Sequence, residues 1–189
     1  LDQALELVRA EAESGDVDPQ LRQALTAALA TYDSLAATRQ QVEAHSIDPE
    51  GAIQAYAERV DAAKLTLEKM LPLAVDAHAT RQVTSYLDLL DVAEQSGRQR
   101  AVVSRLAAGG TLDDADLAQV SRLIGRREGF IENFLVTADP DQRRQWEQSQ
   151  SSPAFTEAAD LEAAIVDGRT LPDSDDWWKK STARLNAVH

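Results

Sequence analysis

The sequence predicts an all-α protein, a bundle of seven or eight helices joined by short connections. Three observations carry this. Apolar residues recur at spacings of three and four through nearly the whole chain, the period of an amphipathic helix. Sustained period-two alternation and clusters of β-branched residues, the marks of strands, are missing. Asp-Pro and Ser-Pro pairs stand ahead of the periodic runs, where a side-chain acceptor followed by proline at the first helical position starts a helix.

Each element has its own start or stop signal. Leu1 to about Glu13 reads as a short helix ending near Ser14-Gly15. Asp18-Pro19 opens a second, with Leu21, Leu25, Ala28, Tyr32, Leu35, Arg39 and Val42 on one face. Asp48-Pro49 opens a third, in which Ile53, Tyr56, Val60, Ala63, Leu67 and Met70 form a packing seam of bundle type. Pro72 breaks or kinks the helical run at that point, and a long helix is expected from about Leu73 to Ala108, closed by Gly109-Gly110. Thr111 or Asp113 starts the next helix, to about Thr137. Asp139-Pro140 starts a short one, Ser152-Pro153 one ending at Gly168, and Pro172-Asp173 precede a last amphipathic stretch through Trp177, Trp178, Leu185 and Val188.

Composition narrows the function. The 189 residues carry 32 Asp plus Glu against 19 Lys plus Arg, a net charge of −13. Such a surface repels phosphate backbones and anionic membranes, so no nucleic-acid partner is expected. There is no Cys, which excludes disulfides, thiol catalysis and Cys-ligated metals. The 32 Ala and 50 larger apolar residues suffice for one ordinary core or two thin ones. No apolar run approaches the ~20 residues of a membrane span. Residue 1 is Leu inside a helical pattern, and the chain reads as a single all-helical domain over 1–189, truncated at its N-terminal end.

Catalytic signatures are absent: no GxGxxG, Walker loop, HExxH or GxSxG. No catalytic residue, metal or cofactor is expected. His45, His78 and His189 are far apart and read as surface or cap residues. Asp113, Asp114 and Asp116 read as caps of a helix start rather than a cation site. At least one of Trp177 and Trp178 should enter the core, because neighbouring residues face different sides of a helix.

The charge distribution is more informative. Residues 81–144 hold nine Arg and no Lys against ten Asp and Glu, while residues 1–80 hold six basic and fourteen acidic groups. A guanidinium is a rigid fork of donors suited to planar oxyanions. In the long helix Val83, Tyr86, Leu90, Ala93, Gly97, Arg100, Ser104 and Ala107 fall on one face, bulky in its first half and small in its second. Arg100 sits among the small residues. Two readings remain open: an anion pocket of Arg100, Ser104 and Gly97, or an Arg100 carried to the edge of the core and paired with a carboxylate of another helix.

The stretch Tyr86–Gly109 resembles the central motif of the nitrate- and nitrite-sensing (NIT) domain family, whose pattern includes G-x-E-R-A. Gly97, Arg100 and Ala101 match its Gly, Arg and Ala, and Gln99 stands where the family usually has Glu. The run from Phe130 to Trp146, then Asp160-Leu-Glu-Ala-Ala and Asp176-Trp177, resembles the C-terminal half found in actinobacterial sensor histidine kinases. The resemblance implies two packed antiparallel four-helix bundles sharing long helices. It implies an extracytoplasmic sensor between membrane helices of a signalling protein, with a homodimer as its expected assembly, that binds nitrate or nitrite and passes a helix-packing change across the membrane. It implies a two-arginine anion site, with Arg100 as one member and the other in a Glu-Arg motif expected before Leu1. The alternative reading is a non-enzymatic helical interaction or dimerisation module with a degenerate pocket.

Overall fold

The computed structural model describes residues 2–14 and 17–188; the sequence-based expectations at Leu1, Gly15 and His189 lie outside the described residues. Among the described residues there are nine α-helices and no strand. The chain divides into two compact units, 1–83 and 84–189.

The first unit contains α1 (Asp2–Glu13), α2 (Pro19–Asp33), α3 (Leu35–Glu43), α4 (Pro49–Met70), a 3-10 turn (Leu71–Leu73) and the start of α5 (Ala77–Gly109). The Asp-Pro signals work as read. Asp18 accepts from the backbone N–H groups of Gln20 and Leu21, and Asp48 from that of Gly51. The expected single helix from Pro19 to Val42 is interrupted at Ser34, whose hydroxyl donates to Thr31 O at 2.8 Å and competes with the helical ladder. The Ile53–Met70 seam is not the most covered face of α4: Ile53, Tyr56 and Met70 are exposed and Val60, Ala63 and Leu67 half-buried, while the buried residues among those described are Arg59 and Thr66. Pro72 confines Leu71–Leu73 to a 3-10 turn, so α5 begins at Ala77 rather than Leu73, with the Asp76 carboxylate accepting from Ala79 N–H.

The second unit holds the rest of α5 with α6 (Asp114–Thr137), α7 (Pro140–Gln150), α8 (Pro153–Val166) and α9 (Ser174–Ala187). Gly110 takes φ 68°, the left-handed conformation, as its N–H reaches Leu106 O. Asp113 and Asp116 form a reciprocal capping box at the start of α6, and Asp139 and Gln142 do the same for α7. Two apolar clusters fill the interior. One joins Val103, Leu106, Val120, Ile165 and Trp177; the other joins Val92, Phe134, Ala138 and Trp146. Trp177 is fully buried while Trp178 is about half exposed. The buried face of α5 runs through Ser85, Val92, Gln95, Ser96, Gln99, Val103 and Leu106. It lies beside the expected track, which places Gly97, Arg100 and Ser104 on the core's flank. No helix among the described residues is long and apolar enough to cross a membrane.

Candidate functional site

Arg100 stands at the edge of the second unit's core, facing α9. Its Nη1 donates to Thr182 Oγ1 at 2.8 Å, and its guanidinium carbon lies 4.3 Å from the centre of the Trp178 ring. An aromatic ring beneath a guanidinium attracts its charge while leaving N–H donors for other acceptors. Nε and Nη2 make no hydrogen bond among the described residues, and no carboxylate there pairs with the group. Burial alone pushes the Arg100 guanidinium below its ordinary pKa, with no neighbouring carboxylate to counter it. Arg100 therefore stands at the core's edge with a hydroxyl and an indole as its partners rather than an acid.

Ser104, one turn on, has a buried hydroxyl with no hydrogen-bond partner. Its usual acceptor would be Arg100 O, four residues back. That oxygen already takes the helical N–H and the indole N–H of Trp177 at 3.0 Å. Gly97, one turn before Arg100, borders open space: a Cβ there would meet no atom within 4 Å. Gly97, Arg100 and Ser104 thus share one flank of α5, where a half-buried guanidinium stands between open space and a buried, unpartnered hydroxyl.

A second polar group occupies the interior, between the two apolar clusters. Arg127 of α6 grips Glu162 of α8 with both guanidinium nitrogens, at 2.6 and 2.9 Å. Arg184 of α9 pairs with the same carboxylate at 2.6 Å. Gln99 of α5 accepts from Arg127 at 2.8 Å and from Arg184 at 3.3 Å through one oxygen. The side chains of Arg127, Glu162 and Arg184 are 11%, 8% and 4% exposed. Burial pushes the Glu162 carboxyl up, but the hydrogen bonds and charges of Arg127 and Arg184 outweigh this and hold it below its ordinary value. Arg184 is pushed down by burial and by Arg127, against the pull of Glu162.

Beside this group opens a cavity of about 430 Å³, whose lining includes Arg127, Glu162, Arg184, Trp146 and Phe155. A smaller cavity of about 230 Å³ shares Trp146 and Val188 with it. Neither is lined by Gly97, Arg100 or Ser104. Sequence reading assigned no role to Glu162 or Arg184. The signal was present: Ala158, Glu162 and Ile165 share one helical face, as do Trp177, Ser181 and Arg184, so both charges occupy core positions. Arg59 of the first unit was hidden in the same way. It is 5% exposed and is held by the hydroxyls of Ser34 and Thr38 at 2.8 and 2.9 Å, and by Ala55 O.

The fold and its cationic, hydrogen-bonding interior define an all-helical bundle domain. The family described as nitrate and nitrite sensing matches residues 1–189, and the chain belongs to that family of sensor domains. No curated protein and no solved structure matches the chain.

Proposed function

We propose that the chain is the extracytoplasmic ligand-sensing domain of a membrane-bound signalling protein, a two-component sensor histidine kinase, and that it reads nitrate or nitrite at Arg100. The observation that carries this reading is the Arg100 guanidinium, half-buried, held over the Trp178 ring and paired with no carboxylate among the described residues. A planar monovalent oxyanion would accept from its free edge, in the space beside Gly97 and within reach of the Ser104 hydroxyl. The acidic surface gives such an anion no long-range attraction, so binding rests on local hydrogen bonds.

Thr182 and Trp178 tie the same guanidinium to α9. An anion that redirects Arg100 would alter how α5 and α9 pack, and that shift would pass to membrane helices flanking the domain in the full-length protein. The ligand moves the equilibrium only by the difference in its affinity for the two packings.

Titration calorimetry of sodium nitrate and sodium nitrite into the full-length protein tests the reading. Saturable heat is expected with the wild type. Loss of a charge-assisted contact should weaken binding roughly 10- to 100-fold in Arg100→Ala. Gly97→Ala, which fills the adjacent space, should weaken binding without lowering stability. No heat with either anion, or equal heat in Arg100→Ala, would sink it.

A further inference from the structure

We propose that the cavity beside Arg184 and Trp146 is a second binding site, for a small amphipathic monocarboxylate with an apolar body. It is separate from Arg100 and does not depend on the nitrate reading.

Three observations converge. First, the polar end of the cavity has an excess of positive charge. Two guanidiniums share one carboxylate, and Gln99 contributes only a neutral oxygen to both. A buried charge without its counter-charge is costly, and one anionic head would balance it. Water satisfies donors but brings no charge.

Second, two N–H donors in the lining have no acceptor. Trp146 Nε1 and Arg184 Nε are both buried and unpartnered, in side chains that are each 4% exposed. Buried indole and guanidinium N–H groups ordinarily find partners. Two donors, and a buried Arg127–Glu162–Arg184 group with one charge in excess, call for an acceptor-rich anionic head at that end of the cavity.

Third, about half of the remaining wall is apolar, the rest being Ser96, Gln150, Thr156 and two glutamates, and the space is too large for a four-atom anion. Val92, Ile131, Phe155, Ala159 and Val188 supply the wall's apolar part. About 430 Å³ lies within the range of small-molecule pockets, and one water's share of liquid volume is only about 30 Å³. Glu128 and Glu132, both exposed, also line the cavity and disfavour dianions such as phosphate esters.

Benzoate is the probe, with benzamide as its uncharged isostere and phthalate as its dianion. Benzoate is expected to shift the Trp146 indole ¹H–¹⁵N resonance saturably and to give heat by calorimetry. Benzamide and phthalate should bind about tenfold more weakly or worse, the scale of one charge-assisted hydrogen bond. Arg184→Gln leaves Arg127 and Glu162 as a balanced pair and should lose the same factor. Trp146→Phe, which keeps a ring and drops the donor, provides a second arm should Arg184→Gln not fold. Arg100→Ala should bind benzoate as the wild type does, and nitrate should not compete with benzoate. The proposal is overturned if benzoate causes no saturable shift, if benzamide binds as tightly as benzoate, or if the variants at both Arg184 and Trp146 leave affinity unchanged.

Discussion

Glu162 shows how much one buried residue can carry. It is the shared counter-ion for Arg127 and Arg184, and Gln99 adds no charge. Glu162→Gln keeps the shape but leaves two cations buried together, a loss of about 3–5 kcal/mol by analogy with broken buried ion pairs. The direction of the pKa shift sets the pH dependence. The folded carboxyl titrates below its ordinary value of 4.5. Its stabilisation is therefore complete above that value and is lost as pH falls through the depressed folded one. Urea denaturation of wild type and Glu162→Gln should show a wide stability gap at neutral pH that closes in the acid range, where glutamic acid resembles glutamine. A gap that stays constant down through the carboxylate range would show that Glu162 is not the common counter-ion.

At the scale of the helix, the starts were legible because a cap is local. Asp139 accepts from the N–H groups of Asp141 and Gln142, and the Gln142 side chain accepts in return from the Asp139 N–H, all within four residues. Asp139→Ala should lower stability by about 1 kcal/mol. A urea midpoint that does not move would mean that Pro140 alone sets the start of α7. Helix rotation was not legible. On α5 two neighbouring tracks both carry apolar residues, and period alone does not say which one the other helices cover. The covered track contains Ser85 and Gln99, which look like surface residues in sequence. Their partners, Gln142, Arg127 and Arg184, lie 28 to 85 residues away. The α4 seam misled for a related reason: the covered face carries Arg59, whose hydroxyl partners sit at the α2–α3 junction. Arg100 was legible as a residue of interest because its flank is otherwise small. The Arg127–Glu162–Arg184 group was not, since it is assembled from three helices that no local spacing connects.

Across the whole molecule the two units differ in what holds them. Among the described residues, the buried apolar ones of the first unit are Ala12, Ala24, Ala28, Leu29 and Leu35, three of them only alanine. Those of the second include Trp177, Phe134, Ile165, Trp146, Val103 and Val120. Each buried methylene contributes about 0.8 kcal/mol, so the second core is held by much more transfer free energy. Charge acts in the same direction. Residues 1–80 carry fourteen acidic groups against six basic, and like charges repel in a compact state. Local opening draws on the least stable regions first. Amide hydrogen exchange should therefore be faster in α2 and α4 than in the central turns of α5, α6, α8 and α9, by about tenfold for every 1.4 kcal/mol between the units. Raising the ionic strength to about 1 M shortens the screening length to about 3 Å and should slow exchange mainly in α2 and α4. Equal protection in both units at low salt would show that the polar contacts of Arg59 make up for the small alanine core. Unequal protection that salt leaves unchanged would assign the difference to packing and remove charge from the account.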